Sequence, residues 1–266
     1  MDNYPVVIVG HFLEKYESRR KYTDLTLKNK NKLSPFYITP IEEYSNWRKD
    51  FGLTKNYLTK KEKVYKLNQY ISKKHWLYLH SPIKIYKIIS KIKPLMIIVE
   101  NEPHSLITIE IFTLYLIWTF LNNKKKKFII FSWDNLNRRD NPLRNIYKII
   151  VDKFLTRNID LVICGNVKCK ENFILRGVKE QRLTVHPQVG IDTKAIKAIY
   201  KSNTNSIDKI QVFYCGRIVY EKGIHILIKC HEKLLKNGYK VETIIAGNGR
   251  GKYYRKIKNL SYKVKD

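Results

Sequence analysis

The sequence predicts an α/β protein: a parallel sheet covered by helices on both faces, followed by the opening β-α-β portion of a second unit of the same kind. Three observations carry this. Short apolar runs alternate with amphipathic ones along most of the 266 residues. The runs are continuous and β-branched, as in Leu95-Met96-Ile97-Ile98-Val99, which marks strands buried on both faces. Turn and cap residues such as Pro94, Gly177, Pro187 and Asn237-Gly238 punctuate them.

In chain order, residues 6–9 predict a first strand, and residues 33–39 a further one after a polar stretch. Residues 40–75 hold many charges and aromatics (Trp47, Phe51, Tyr57, Tyr65) without a clear period, and read as loops and helix. Helical spacing over 83–92 ends before Pro94, and 95–99 is a buried strand. A helix from about Ser105, a strand at 128–131, a helix at 145–155 and a strand at 161–164 follow. Asn166 caps the next helix, which stops at Gly177, and 183–185 is a short strand closing at Pro187. Residues 198–208, with Ser202-Asn203-Thr204-Asn205-Ser206, are polar and aperiodic. The second unit opens with a strand at 210–215. A helix over 223–235 then sets Ile224, Leu227, Ile228, His231, Leu234 and Leu235 on one face, and a strand at 241–246 ends in Gly247-Asn248-Gly249. These boundaries divide the chain into an N-terminal domain (1–190), a linker (191–208) and a partial C-terminal domain (209–266).

Composition narrows the function classes. Hydrophobic residues make up 44%, enough for real cores. Lys and Arg number 52 against 23 Asp and Glu, a formal net charge of +29. Such an excess suits an anionic partner, whether nucleic acid, an acidic membrane surface or a phosphorylated ligand. Much of it is Lys scattered among Ile, Asn and Tyr, a bias that an AT-rich genome imposes without functional demand. Cys164, Cys169, Cys215 and Cys230 show neither a paired C-x-x-C nor a disulfide framework. A reducing, cytoplasmic setting follows, with Cys215 and Cys230 read as small core residues. Residues 105–121 are mostly apolar but short for a span and carry Glu110 near the middle, so a buried helix is expected. The four lysines at 124–127 either meet anionic lipid headgroups at the inner membrane face or form a solvated loop.

The residues that point to chemistry lie at the end of the strand at 210–215. Gly216-Arg217 and Glu221-Lys222-Gly223 stand between that strand and the next helix. In open α/β sheets the carboxyl ends of strands are where ligands bind, and two cations there suit a diphosphate. Arg217 offers a planar fork to phosphate oxygens and Lys222 a compact charge. Gly216 lets the backbone come close to a ligand. The plainer reading of both cations is an exposed loop pair in a lysine-rich chain. Gly247 and Gly249 read first as a tight donor-side turn, since a lone G-x-G is weak support for phosphate binding.

Three segments in order resemble the glycosyltransferases of family 4, enzymes of the two-Rossmann-domain GT-B architecture. They are Asp160-Leu161-Val162-Ile163-Cys164 with the helix through Gly177, Val185-His186-Pro187-Gln188-Val189-Gly190-Ile191-Asp192, and Gly216-Arg217-Ile218 through Glu221-Lys222-Gly223 with Ile244-Ile245-Ala246-Gly247-Asn248-Gly249. Glu100-Asn101-Glu102-Pro103-His104-Ser105 and Trp133-Asp134-Asn135 are similar to N-domain motifs of the same enzymes. The resemblance implies sugar transfer from a nucleotide-diphosphate sugar to a glycan or lipid-linked acceptor, with retention and without metal or other cofactor. Gly216, Arg217 and Lys222 would hold the donor diphosphate and stabilise charge growing on it. Glu102 would meet an acceptor hydroxyl, unless it is simply an acid at a helix start. Many members place a histidine after the strand at 128–131; here Asp134 or Asn135 would take that role. The family's N-terminal glycine loop is represented only by Gly10-His11, and its paired-glutamate motif would fall after Asp266. The resemblance therefore implies a truncated enzyme, an acceptor domain with the first third of a donor domain: the product of a frameshifted or split gene, with the missing half as a separate chain, or a fragment, or a remnant with a non-catalytic role. The rival readings are a non-catalytic, degenerate transferase that binds a partner, and a basic nucleic-acid binder for which no RNA-binding or helix-turn-helix signature speaks.

Overall fold

A computed structural model describes residues 4–13, 16–28, 32–41, 63–72, 76–123, 126–135, 142–187 and 210–263. The linker expected at 191–208 lies outside these residues, as do Val189-Gly190-Ile191-Asp192, Trp47, Phe51, Tyr57, Lys124 and Lys125. The chain separates into two compact units, one of residues 1–44 and 54–191 and the other of 45–53 and 192–266.

In the first unit the apolar runs form seven parallel strands: β1 (Tyr4–Gly10), β2 (Leu33–Pro40), β3 (Lys63–Leu67), β4 (Met96–Glu100), β5 (Lys127–Ser132), β6 (Leu161–Cys164) and β7 (Leu183–Val185). They lie in the order β3-β2-β1-β4-β5-β6-β7. The order reverses between β1 and β4, a doubly wound arrangement that opens a ligand crevice at the carboxyl ends of the central strands. Alternation along β1 explains the layers. Val7 and Val9 point into one apolar cluster and Val6 and Ile8 into another, as the two-residue period of a strand requires. The first cluster takes side chains from α2 (Pro82–Ile92), α3 (Leu106–Asn122), α4 (Pro142–Asn158) and α5 (Val167–Leu175); the second takes Tyr22 from α1 (Tyr16–Lys28).

The charged stretch 40–75 contains a strand, β3, that periodicity does not reveal. Its Lys-Val-Tyr-Lys-Leu sequence sits at the sheet edge, paired with β2 and with only Leu67 of its five residues buried. Asn166 does cap α5, its Oδ1 accepting from Cys169 N at 2.9 Å. Glu110 is buried on α3 and accepts a hydrogen bond from His80 N at 2.8 Å.

The second unit is β8 (Ile210–Cys215), α6 (Ile224–Lys236), β9 (Val241–Ala246) and α7 (Gly251–Lys263). The two strands are parallel, and Ile218, Ile224, Ile228 and Ile257 form a small core. Cys215 and Cys230 are not core residues. Both are exposed, whereas Cys164 and Cys169 are buried. Cys215 shares the uncovered sheet face with Phe213, and Cys230 lies on α6 away from Ile224 and Ile228.

Candidate functional site

In the first unit the polar side chains gather where β4, β5 and β6 end. Glu102 follows β4 in a turn fixed from three sides. Its carbonyl accepts from Ser105 N at 3.0 Å, Ser105 Oγ at 2.8 Å and Thr108 Oγ1 at 2.9 Å. Its carboxylate reaches across to the end of β5, where Ser132 Oγ donates to one oxygen and Trp133 N donates to the other at 3.0 Å. Burial pushes the Glu102 carboxyl up to about 7, against the opposing pull of the Ser132 hydrogen bond. A group near neutrality, half-buried at a strand end, is suited to moving a proton or gripping a hydroxyl.

Asp134 is placed differently. Its carboxylate is in an ion pair with Arg176 NH2 at 2.5 Å, and its carbonyl accepts from Asn172 Nδ2 at 2.9 Å. Arg176 also reaches Asp152 at 3.0 Å. Burial opposes the charge on Arg176, but Asp152 and Asp134 together hold its proton above the ordinary range. This chain of charges ties the loop after β5 to α4 and α5, so Asp134 anchors the loop. Asn135 is partly exposed, with its N donating to Trp133 O at 2.6 Å. Trp133 itself is 40% exposed, and its indole covers Gly165, where a Cβ would meet it at 2.5 Å. Trp133 enters the sequence reading only as part of a motif, and Ser132 and Arg176 are assigned no role there. The contact of Glu102 with Ser132 and Trp133, thirty and thirty-one residues on, and that of Asp134 with Arg176, forty-two residues on, give them their places.

In the second unit the loop after β8 carries Arg217 and Lys222, both exposed. Ile218 between them is buried and plugs the loop onto the core. Gly216 N donates to Ala246 O at 3.0 Å, Ile218 N to Asn248 O at 2.8 Å, and Tyr214 Oη to Arg217 O at 2.8 Å. Residues Tyr220–Lys222 make one 3-10 turn, and Gly223 at φ 68° turns the chain into α6, a left-handed conformation that favours glycine. The first N–H groups of α6 lie just beyond, where a helix start favours anions. Gly247 and Gly249 have a packing reason. A Cβ at Gly247 would sit 1.8 Å from Gly216 O, and one at Gly249 would sit 2.4 Å from Ile218 O. His225, which the sequence reading passed over, stacks on Tyr220 at 4.9 Å and bonds Tyr253 Oη at 2.8 Å. A contact across twenty-eight residues leaves no local signal. Among the described residues no group of three or more His, Cys, Asp or Glu is arranged to hold a metal ion.

The architecture is an α/β fold of the GT-B type. It resembles Anabaena HepE solved with UDP, at a TM-score of 0.58 and 14% identity over 98% of this chain and 65% of that one. It also resembles the UDP-N-acetylglucosamine 2-epimerase of Rickettsia bellii, at 0.52 and 10% over 98% and 65%. At such identities the likeness concerns the fold alone. The family model described as "Glycosyl transferases group 1" matches residues 195–266, within the second unit. Curated relatives include the phosphatidylinositol N-acetylglucosaminyltransferase GPI3 subunit of Saccharomyces cerevisiae (strain YJM789), 33% identical over 112 residues, which is 40% of this chain and 25% of that protein. The corresponding Schizosaccharomyces pombe subunit is 31% identical over 98 residues, 36% and 21% of the two chains. The match thus spans about a quarter of the relatives' length.

Proposed function

We infer that this chain acts as a glycosyltransferase that binds a nucleotide-diphosphate sugar at the loop after β8. Arg217 and Lys222 grip the diphosphate while the start of α6 faces it. The observation that carries the reading is the coincidence of that loop, with its exposed Arg217 and Lys222, with the stretch that the group 1 glycosyltransferase model matches. Fixed cations stabilise the leaving diphosphate as the glycosidic bond breaks, without requiring a metal. The first unit takes the acceptor, a glycan or lipid-linked saccharide, beside Glu102 and Trp133. Glu102 meets the acceptor hydroxyl and Asn135 flanks it, while Asp134 holds the loop in register. Transfer proceeds with retention at the anomeric carbon.

Calorimetry with UDP, GDP and their sugars tests the donor part. Micromolar to millimolar binding is expected, weakened at least about tenfold in Arg217→Ala, since a charge-assisted hydrogen bond contributes roughly 1.5–3 kcal/mol. A folded protein that binds none of these ligands, or binds them equally well as the variant, would overturn the assignment.

A further inference from the structure

Two sulfur atoms stand behind the first unit's candidate site, and the transferase reading uses neither. β6 ends at Cys164, and α5 begins three residues later. Cys169 is the third residue of α5, its N–H held by Asn166 Oδ1 at 2.9 Å. Cys164 is paired in register with Ser132 of β5. Both cysteines are fully buried in one apolar cluster, on the face of the sheet that α5 covers. Their thiols hydrogen-bond to each other across the turn at Gly165 and Asn166. Cys169 Sγ also lies 3.4 Å from Ser132 O and 3.8 Å from Ser132 Oγ.

The two sulfurs differ in chemistry. The hydrogen bond from Cys164 holds the Cys169 thiol below the ordinary cysteine range, against the effect of its burial. The same bond, with burial, pushes Cys164 up. Peptide N–H groups at a helix start favour a thiolate at Cys169 as well. One sulfur is thus suited to attack and its neighbour to resolve. An inert core cysteine has apolar groups on every side. Here Ser132 touches Cys169 and donates to Glu102, whose side chain is partly exposed, so one polar side chain separates the sulfur from the crevice. Short helices open first at their ends. α5 has nine residues, and opening of its first turn admits a water-sized oxidant.

We propose that Cys169 and Cys164 are a peroxide-reactive pair, Cys169 attacking and Cys164 resolving, which closes to an intramolecular disulfide beside Ser132. The Cys169 sulfur attacks one oxygen of hydrogen peroxide. The O–O bond breaks, and the departing hydroxide takes up the proton that Cys169 gave up and leaves as water. The Cys164 sulfur then attacks the Cys169 sulfenic acid. An S–S bond forms, the S–O bond breaks, and the hydroxyl leaves with the Cys164 proton as a second water. The two sulfurs together lose two electrons, which the peroxide gains. The disulfide draws the Cys169 sulfur from Ser132 and tightens the turn at Gly165, on which the Trp133 indole lies. That effect on the Glu102 site bears on catalysis only through the transferase reading, whereas the sulfur chemistry is independent of it.

Cys215 and Cys230 are exposed, and replacing both, Cys215→Ser with Cys230→Ser, leaves the buried pair as the remaining thiols. The whole chain in this form, shown to be folded by circular dichroism and melting, is treated with hydrogen peroxide, then unfolded and alkylated. Alkylation of Cys164 and Cys169 should be lost and should return on reduction. A cut after Lys168, between them, should leave the two peptides joined until reductant is added. With Cys164→Ser added, Cys169 should stay as a sulfenic acid that dimedone traps. With Cys169→Ser instead, Cys164 should react at least about tenfold more slowly. Peptide mapping of the native chain gives the same reading if a variant fails to fold. Full alkylation of both cysteines after a dose that oxidises Cys215 of the native chain would make them plain core residues and overturn the proposal. So would a disulfide that forms only in urea, or oxidation to sulfinic acid without a cross-link. Dimedone capture at Cys164 in place of Cys169 would overturn the assignment of the attacking sulfur.

Discussion

Three carboxylic acids in the first unit hold their protons more tightly than their type normally does. Burial raises Glu102 and Glu110 from 4.5 to about 7 and Asp152 from 3.8 to about 6. The folded chain keeps these protons to a higher pH than the unfolded one. Stability from this source is therefore present below about pH 4 and is lost between there and about pH 7. His80 works the other way. Burial lowers its pKa from 6.5, so its share of stability is present above about pH 6.5 and is lost as the pH falls from there through the lowered value of the folded state. Glu110→Gln separates the two, because a glutamine oxygen can still accept from His80 N. The melting temperature of Glu110→Gln relative to the native protein should rise as pH increases from 4.5 to 8, by a few degrees across the range. A pH-independent difference would show that Glu110 does not titrate between the folded and unfolded states as its burial demands. Glu102 and Arg217 were both visible in the sequence as candidates, since each follows a strand end. The bond from Ser132 to Glu102 and the role of Asp134 as an anchor were not, since both depend on which strands become neighbours.

Elements here are joined by close backbone contacts as much as by side-chain packing. The ends of β8 and β9 meet where Gly247 faces Gly216 O, with no room for a Cβ. Gly247→Ala should force the two loops apart, break the bond from Gly216 N to Ala246 O, and cost on the order of 2–4 kcal/mol of the second unit's stability. A lowered midpoint in urea checks this; an unchanged midpoint would mean that the loops slide apart freely. Sequence patterning found these elements well because each is amphipathic or continuously apolar. It missed β3, whose alternation is broken by Lys63 and Lys66, because a strand held at an edge by hydrogen bonds needs little hydrophobic signal.

At the scale of the molecule the two units differ in how deeply their strands are buried. β1, β4 and β5 lie in the middle of seven strands, with Val7, Val99 and Ile130 fully buried. Among the described residues β8 and β9 pair only with each other, and Phe213 and Ile244, partners in register, are 66% and 44% exposed. Amide exchange read by mass spectrometry should therefore be slowest in β1, β4 and β5 and faster by orders of magnitude in β8 and β9, which open without the larger sheet. Equal protection of both sets would mean that the units unfold as one. The open face also explains why Cys215 is exposed despite its apolar neighbours: a strand reads as buried in sequence whether or not a second layer is there to cover it.

By itself the sequence determined the alternation of strands and helices, the parallel character of the main sheet, and the cationic loop after β8. These are local properties: side-chain period, cap residues and the chemistry of a short segment, all set within a dozen residues. Tertiary structure alone decided that Glu102 meets Ser132, that Asp134 is tied up by Arg176, that His225 is clamped between Tyr220 and Tyr253, and that Cys169 stands against Ser132. Each of these brings together residues far apart in sequence, and such pairings follow from strand order and from which faces are left uncovered, neither of which any single stretch of sequence encodes.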